Sequence, residues 1–493
     1  MRYPILSPEE AAALINDGEC VGLSGLTQAG AVKLLPGALA ARAERMRAEG
    51  RPFRLTVMTS GTPNAGVDDV MAHAGVVARC MPFQSSPGLR GFINSGEVKY
   101  CDIHLSKLAQ EMRYGHVPRV TTAIIEAAEV TEEGEIVLTT GAGNSACFCA
   151  VASRIIIELN RYHDRRLREF HDVYMPQDPP QRTAIPLQYP AQRIGAKVIK
   201  VSPEKIAAVV LNNQPDGVAP FKEITEQTAR IGRNIVRFLE NEYVNGRLPR
   251  EFPPLQSGLG NVANAALAAL GHSAVIPPFS MYTEVIQDNV IRLMQQGRCL
   301  FASSNTLTLS DAMLKELYAN FDFFKGKILL RGMEISNNPE VIRRLGVISM
   351  NTAIEMDVCG NVNSSHLFGT SMMNGIGGSC DYARASRISI FSCPSTAKDG
   401  AVSAIVPMVS HVDQTEHDVA VLVTEQGVAD LRGLAPRERA ERIVENCAHP
   451  TYRPLLRRYL ELSQGGHSPN TLKHAFAFHS AYRQTGSMLN AQF

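Results

Sequence analysis

The chain has 493 residues, of which 45% are hydrophobic and 20% are charged. This is the composition of a globular protein with a large core, and it excludes a disordered chain, a collagen-like repeat and a small disulfide-stabilised protein. The 49 Lys and Arg residues nearly balance the 48 Asp and Glu residues, so a net charge of +1 provides no bulk field to attract nucleic acid or an anionic membrane.

Short β-rich runs alternate with helical patterns along the chain. A helix is predicted over 9–17, because Ser7 suits its N-cap and Pro8 its first turn, and a second helix is predicted over 34–47. Buried strands are predicted at 55–59, 123–125, 136–140, 154–159, 207–211, 328–330, 348–350, 388–391, 403–406 and 419–423. Strands that alternate with helices predict an α/β fold with largely parallel sheets.

A linker is predicted at 212–217, where Asn, Pro, Asp and Gly follow a predicted strand. We therefore divide the chain into a first half, residues 1–215, and a second half, residues 216–493. A short internal echo favours two related halves. A glycine turn is followed by the sequence Ala-Ser-Arg-Ile at 143–155, and the same combination returns at 378–388.

A glycine turn at 256–265 enters an Ala-rich helix that is predicted to end near Gly271. The N–H groups at the start of a helix attract phosphate or a developing oxyanion. The Gly-x-Gly-x-x-Ala spacing resembles a dinucleotide fingerprint, but the Phe-Pro-Pro-Leu sequence at 252–255 is a poor strand for that fold. A tight turn whose glycines serve packing is the alternative.

Glu284 is predicted to lie where an extended segment turns into a helix, because apolar residues recur at 286, 290, 293 and 294. The positive end of that helix would favour the ionised carboxylate, which can act as a nucleophile, a general base or a metal ligand. An acid in the first turn of a helix is also common without any such role, and the pattern alone favours this alternative.

The glycine segment, residues 372–379, has three glycines within four residues, which let the backbone approach a ligand closely. It could converge with the 256–265 turn and Glu284 on one reacting centre. No Walker A motif is present, and 22–25 lacks the Gly-x-Ser-x-Gly spacing. Lys398 and Arg387 are candidate phosphate contacts, with surface cations as the alternative.

Metal, membrane and secretion signals are absent from the sequence. Its ten cysteines include no Cys-x-x-Cys pair, and the densest group of His and acidic residues, 411–418, is favoured as a solvated polar loop over a metal site. The sequence also has no Trp for stacking on bases, no long apolar window and no basic-then-apolar start. We therefore expect reduced thiols, no metal, no membrane or nucleic-acid partner and a cytoplasmic location.

Together these segments resemble the acetyl-CoA hydrolase/transferase family of class I coenzyme A (CoA) transferases. The similarity extends over nearly the whole chain, and it is carried by 22–27, 255–261, 282–287, 334–339, 374–379 and 424–433. Within the family, 157–164 and 275–279 are most similar to the propionyl-CoA:succinate and succinyl-CoA:acetate CoA-transferases. The resemblance implies two related open α/β domains with the active site in the cleft between them, and a homodimer.

The resemblance also implies the site residues. Glu284 falls on the catalytic glutamate that forms a glutamyl-CoA thioester, and the backbone N–H groups of Leu259 and Gly378 fall on the oxyanion hole. Asn337 and Glu425 fall on polar positions near that glutamate. CoA acts as a co-substrate, with no tightly bound cofactor, and its implied contacts are Gly258, Leu259, Gly260, Asn261, Val262, Ile354, Asn374, Gly378 and Lys398.

The implied reaction moves CoA between a short acyl-CoA and a small carboxylate such as succinate or acetate. Hydrolysis of acyl-CoA through the same glutamyl intermediate is one alternative, and a non-catalytic CoA-binding module is another. Differences from the family pattern occur at Leu26, Leu259, Thr283 and Cys380, where the family usually has Phe, Val, Ser and Gly. They bear on acyl-chain preference, and the thiol of Cys380 could shift the neighbouring glycine turn.

Overall fold

The computed structural model describes residues 2–61, 65–218, 223–463 and 465–493. The first half contains β1 (Cys20–Leu23), β2 (Leu55–Met58), β3 (Val77–Met81), β4 (Lys99–Tyr100), β5 (Thr122–Val130), β6 (Glu135–Leu138), β7 (Arg154–Asn160), β8 (His171–Asp172), β9 (Ile199–Lys200) and β10 (Ile206–Asn212). Its helices are α1 (Pro8–Ala13), α2 (Leu35–Ala48), α3 (Ala65–His73), α4 (Pro87–Asn94), α5 (Leu108–Tyr114) and α6 (Ser145–Val151).

The second half continues the alternation of strands and helices. Its strands are β11 (Leu255–Ser257), β12 (Phe279–Tyr282), β13 (Val285–Ile286), β14 (Cys299–Ser304), β15 (Thr306–Leu307), β16 (Ile328–Arg331), β17 (Ile348–Thr352), β18 (Glu355–Asp357), β19 (Val362–Asn363), β20 (His366–Leu367), β21 (Ser371–Met372), β22 (Ile388–Ser392), β23 (Thr396–Ala397), β24 (Val402–Ser403), β25 (Ile405–Val406), β26 (Val421–Thr424) and β27 (Gly427–Asp430). Its helices are α7 (Glu226–Val244), α8 (Asn261–His272), α9 (Asp288–Gln295), α10 (Asp311–Ala319), α11 (Phe321–Phe324), α12 (Met333–Ser336), α13 (Pro339–Leu345), α14 (Ser379–Ala383), α15 (Pro436–Cys447), α16 (Arg453–Glu461) and α17 (Ala477–Thr485).

Two large sheets have the same strand order. The first follows β10-β7-β5-β1-β2-β3-β4, and the second contains β26-β22-β17-β11-β12-β14-β16. All neighbours along both paths are parallel. Numbered within each path, both read 7-6-5-1-2-3-4. The α/β prediction is confirmed, and the common order supports two related halves.

The sequence echo falls at the same place in both sheets. The glycine turn at 143–144 leads into α6 and then β7, and the turn at 377–378 leads into α14 and then β22. Counted in chain order along the two paths, both strands are the sixth, and both lie next to the seventh strand at one end of the path. The short sequence match therefore corresponds to a repeated local structure.

Parallel strands place their side chains on two buried faces, which explains their continuous apolar sequences. Ile124 of β5 packs with Ile156 of β7 in one core cluster of the first sheet, while Ile125 and Ile157 belong to the cluster on the other face. This alternation of neighbouring residues between two cores confirms the buried strands predicted at 123–125 and 154–159. The single strand predicted at 403–406 is wrong, because β24 and β25 pair separately with β23 and β18 outside the large sheets.

The first predicted helix has the expected cap but ends early. Ser7 Oγ accepts from the Glu10 N–H at 3.1 Å, and the Glu10 carboxylate accepts from the Ser7 N–H at 2.8 Å. The helix ends at Ala13 rather than at 17, because the following turn is closed by Glu19, which accepts from the Asn16 N–H, and by Gly18 at φ 78°.

The predicted linker is closely packed against the first half. Asp216 is buried, and its carboxylate accepts from the Lys33 ammonium at 3.2 Å and from the Gly30 N–H at 3.3 Å. In addition, β8 of the first half pairs with β16 in the second sheet. The domain boundary at residue 215 therefore stays a prediction. None of the described helices is both long and apolar enough to cross a membrane.

Candidate active site

Glu284 lies in a turn between β12 and β13, at the carboxyl end of the second sheet. Parallel strands bring the loops that follow them to one edge, where ligands bind in open α/β sheets. Here the loops of both halves meet around a cavity of about 180 Å³. Its lining from the first half is Leu26, Thr27, Phe83 and Leu105, and its lining from the second half includes Gly258, Leu259, Glu284, Asn374 and residues 375–379.

The prediction that Glu284 begins a helix is wrong. Helix α9 starts at Asp288, and the turn at Glu284 is fixed instead by its carbonyl, which accepts from Asn305 N at 3.0 Å and Thr306 N at 3.2 Å. Burial, together with the Asp381 carboxylate, raises the pKa of Glu284 to about 7, although the hydrogen bond from Asn337 opposes this shift. Residue spacing suggested a helix because the apolar residues of β13 and α9 form one continuous pattern.

Asn337 orients the carboxylate of Glu284. It lies directly after α12, and its Nδ2 donates to Glu284 Oε1 at 2.9 Å. Its own Oδ1 accepts from Ser336 Oγ at 2.9 Å, which sets the direction of the amide. One carboxylate oxygen is thus held by a fixed donor, and the structure brings Asn337 to Glu284 as the sequence predicted.

Gly378 lies against the carboxyl group of Glu284. A Cβ atom at this position would overlap Glu284 Cδ and Asn337 Nδ2. Gly378 is also the N-cap of α14. Because glycine has no side chain, the backbone of Gly378 faces the carboxylate directly. Only glycine permits this approach without displacing Glu284, which is the geometry needed if the Gly378 N–H stabilises an oxyanion.

The 256–265 turn reaches the same cavity from the other side. Helix α8 begins at Asn261 and ends at His272, close to the predicted end, and Gly260 before it has a φ of 111°. Thr283 Oγ1 donates to the Ser257 carbonyl at 3.0 Å, which joins this turn to the Glu284 turn. Gly258 and Leu259 line the cavity, while Gly260, Asn261 and Val262 form the start of α8.

Seven predicted residues are not among those that line this cavity: Asn337 and residues 260–262, which adjoin it as described above, and Glu425, Ile354 and Lys398. Glu425 follows β26, where its carboxylate accepts from the Ser395 N–H at 2.8 Å; burial would raise its pKa, but hydrogen bonds from Ser395 hold it below the usual range. Ile354 follows β17, and its N–H donates to the Asn363 carbonyl at 2.8 Å. Lys398 lies at the tip of the β23–β24 hairpin beside Tyr482 and lines a separate cavity.

Sequence reasoning missed Phe83 and Leu105 as cavity residues. They follow β3 and β4, and only the strand order brings them to Glu284. The signal that could have found them is their position directly after strands of a parallel sheet, but the sequence analysis predicts no strand at 77–81 or 99–100. The Cys380 thiol donates to the Asp413 carbonyl at 3.1 Å, and Cys380 is not among the residues that line the cavity.

Two groups of potential metal ligands have other partners. Glu126, His163 and Asp216 bring ligand atoms within 4.8 Å of one another, but the Lys33 ammonium contacts both carboxylates. In the 411–418 stretch, His411 packs on His366 with ring centroids 3.9 Å apart. In the group of Glu126, His163 and Asp216, the Lys33 ammonium therefore lies where a metal ion would bind.

The raised pKa of Glu284 predicts a pH-dependent first step. If Glu284 is the nucleophile that the resemblance implies, it reacts as the ionised carboxylate, so the rate at which acyl-CoA alone modifies the protein should rise with pH and level off above about 7. Rapid-quench mass spectrometry between pH 5.5 and 8.5 measures this rate. A rate that is constant over this range would contradict the assignment.

The chain is similar to CoA transferases and acetyl-CoA hydrolases over nearly its whole length. The acetyl-CoA hydrolase/transferase N-terminal domain model matches residues 2–211, and the C-terminal domain model of the same name matches residues 314–460. The chain is 45% identical to the propanoyl-CoA:succinate CoA transferase of Escherichia coli, covering 98% of both chains, and 45% identical to the succinyl-CoA:acetate CoA-transferase of Clostridium kluyveri, covering 99% of this chain and 90% of that one. It is 39% identical to the acetyl-CoA hydrolase of Candida glabrata, covering 98% of this chain and 95% of that one.

Solved structures share the fold. RipA from Yersinia pestis superposes with a TM-score of 0.71 at 24% identity, covering 92% of this chain and 96% of that chain. The 4-hydroxybutyrate CoA-transferase from Porphyromonas gingivalis superposes with a TM-score of 0.64 at 22% identity, covering 93% and 97%.

Proposed function

The chain belongs to the acetyl-CoA hydrolase/transferase family, and we propose that it transfers CoA between a short acyl-CoA and a small carboxylate, with Glu284 as the covalent nucleophile. The candidate donors are propionyl-, acetyl- and succinyl-CoA, and the candidate acceptors are succinate and acetate. The observation that carries this proposal is the Glu284 carboxylate, which lies in a cavity between the halves, against Gly378 and hydrogen-bonded by Asn337.

The reaction proceeds by two carboxylate–thioester exchanges. A Glu284 carboxylate oxygen attacks the acyl carbon of the donor, and the tetrahedral oxyanion collapses to an acyl-glutamyl anhydride and CoA thiolate. The thiolate then attacks Cδ of Glu284 and expels the donor's carboxylate, which leaves a glutamyl-CoA thioester. The acceptor carboxylate attacks the same Cδ and releases the thiolate again, and the thiolate attacks the acceptor's carbonyl carbon, which restores Glu284.

The surroundings of Glu284 suit these steps. The backbone N–H groups of Leu259 and Gly378 are the proposed oxyanion donors, and preorganised donors of this kind are worth about 3 kcal/mol each. Leu26, Phe83 and Leu105 make one wall apolar. Such a wall disfavours water near the anhydride and the thioester, both of which water would hydrolyse.

CoA extends beyond this small cavity. Lys398 lies in a separate cavity of about 800 Å³ with Gln227, Thr396 and His449, and we propose this basic position as a contact for the phosphates of CoA. Ile354 is proposed as a further CoA contact, and Glu425 as a polar group near the catalytic glutamate. The homodimer and the cytoplasmic location remain predictions from the sequence.

Hydrolysis is the second candidate, because a yeast relative at 39% identity is an acetyl-CoA hydrolase. Intact-protein mass spectrometry after addition of acyl-CoA alone distinguishes the candidates. The expected result is a CoA-sized adduct that disappears with succinate as succinyl-CoA forms. Borohydride should reduce its thioester to a primary alcohol at Glu284 with release of CoA, which marks the modified residue. An adduct that turns over steadily without an acceptor would favour the hydrolase. No adduct with propionyl-, acetyl- or succinyl-CoA would leave a non-catalytic CoA-binding module.

A further inference from the structure

The glycine segment belongs to the second half of the chain but is held by the first half. Asn94 exchanges two hydrogen bonds of 2.9 Å with the backbone of Met372, and the Gly375 N–H donates to the Gln84 carbonyl at 2.9 Å. These contacts cross the cleft, so the conformation of the glycine segment depends on the docking of the two halves.

Two further contacts lie on either side of Gly378. Before it, Asp102 Oδ2 accepts from the Ile376 N–H at 2.8 Å. After it, the Asp381 carboxylate accepts from the Ser106 N–H at 3.0 Å and from Ser106 Oγ at 2.6 Å. Asp102 and Ser106 belong to the single loop that follows β4, so one loop of the first half holds both sides of the proposed oxyanion donor.

The loop that follows β4 packs closely against the glycine segment. A Cβ atom at Gly375 would overlap the Tyr100 hydroxyl and lie 2.9 Å from Asp102 Oδ1. In the next peptide group, Ser379 Oγ donates to the Ile376 carbonyl at 2.8 Å. The N–H and the C=O of Ile376 are both fixed, which leaves little freedom for the backbone two residues further on.

Asp102 is an exposed residue, so the case for its role rests on the hydrogen bond to Ile376 and on the close fit at Gly375. Desolvation by the surrounding protein and the Asp413 carboxylate raise the pKa of Asp102 to about 7, although the N–H groups of Ile376 and Ile103 and the Tyr100 hydroxyl oppose this shift.

We propose that Asp102, with Ser106, is a positioning residue that directs the Gly378 N–H toward Glu284, so that the oxyanion donor is in place when the two halves are docked. This inference rests on the proposed function of Gly378. Asp102 itself lies behind the glycine segment and not among the residues lining the Glu284 cavity, so it acts through the backbone rather than on the substrate.

The test compares Asp102→Ala with Asp102→Asn in the full chain. Alanine removes the acceptor for the Ile376 N–H, and a misplaced catalytic group typically costs up to about 100-fold in rate. We expect kcat to fall by about tenfold or more in Asp102→Ala, with the KM for propionyl-CoA within about twofold of the wild-type value. Asparagine keeps a neutral acceptor oxygen, so Asp102→Asn should retain kcat within about threefold.

Hydrogen–deuterium exchange of the free protein gives a second readout that does not depend on catalysis. Peptides covering the glycine segment should exchange faster in Asp102→Ala and at the wild-type rate in Asp102→Asn. Glu111→Gln is the matched control, because Glu111 lines the same cavity behind the segment but bonds to His116. It should leave both readouts unchanged.

The outcomes are distinct. Wild-type kcat in Asp102→Ala, an equal loss in both Asp102 variants, or a loss of kcat without faster exchange would each overturn the positioning role. If Asp102→Ala does not fold, Ser106→Ala replaces it, and unchanged kcat and exchange there would overturn the proposal. A failure of the proposed function would appear differently, as a wild-type protein without adduct whose glycine segment still loosens in the variant.

Discussion

Glu284→Gln is expected to reduce CoA transfer by about 10⁴-fold or more, because no other group replaces a covalent nucleophile. The amide keeps the shape of the side chain and can still accept from Asn337 Nδ2. CoA binding and folding should therefore survive, and acyl-CoA should leave no adduct on the protein. Steady-state transfer assays, isothermal titration with CoA and intact mass measure the three quantities.

The same substitution should make the protein more stable above neutral pH. The folded-state pKa of Glu284 is raised to about 7 from the usual value of 4.5 for a glutamate, so ionisation is disfavoured in the folded state at any pH above 4.5. This cost grows between pH 4.5 and 7 and reaches roughly 3 kcal/mol above that range. Glu284→Gln removes it, so its thermal midpoint should exceed that of the wild type at pH 8 and converge with it near pH 4.5.

A surface substitution serves as the control for both effects. Glu316→Gln changes the same functional group on the exposed face of α10, where it accepts from Gln295. Its transfer rate and its thermal midpoint should match the wild type at both pH values. Substantial turnover in Glu284→Gln, with the control behaving as stated, would exclude Glu284 as the nucleophile.

Gly378→Ala is expected to lower kcat by about 10²- to 10³-fold, the loss typical of a missing oxyanion donor. The added methyl group would overlap Glu284 Cδ and Asn337 Nδ2, so either the carboxylate or the turn must move. We expect slower adduct formation at saturating acyl-CoA. Stopped-flow or rapid-quench measurement of that single step separates this effect from slow product release.

Gly37→Ala is the matched control for this substitution. Gly37 lies in α2, and a Cβ atom there would have no neighbour within 4 Å. Alanine is favoured over glycine in a helix by up to about 1 kcal/mol, so this variant should be as stable as the wild type or more stable, with unchanged kcat. A wild-type kcat in Gly378→Ala would show that catalysis does not need the close approach of Gly378 to Glu284.

The sequence predicts most of the strands well because the centres of the parallel strands are buried on both faces and apolar, as in 155–157 and 208–210. The cap of the first helix is likewise local, and Ser7 and Glu10 form it as predicted. The site depends on strand order, which no local pattern contains. Phe83 and Asp102 therefore could not be associated with Glu284 from the sequence.

Glu284 illustrates both the reach and the limit of this reasoning. Family resemblance identified it, whereas residue spacing placed it at a helix start and predicted a favoured ionised form. The structure instead places it in a turn between two short strands, where burial raises its pKa to about 7. The desolvation of Glu284 depends on which residues of the first half cover the turn. Those contacts are made in the tertiary structure between residues that are distant in sequence.

The repeated strand order has a consequence for stoichiometry. The place after the second strand is occupied by Glu284 in one half and by Thr59 and Ser60 in the other. Ser60 Oγ accepts from the Asn144 N–H at 2.6 Å, and a Cβ atom on Gly143 would overlap it, as one on Gly378 would overlap Glu284. The two halves are thus similar in topology but differ at this position. In the first half the Asn144 N–H, which corresponds to the Gly378 N–H, already donates to the Ser60 hydroxyl, and no carboxylate stands at the position of Glu284. A fully loaded chain would carry one thioester, and an assembly would carry as many as it has chains.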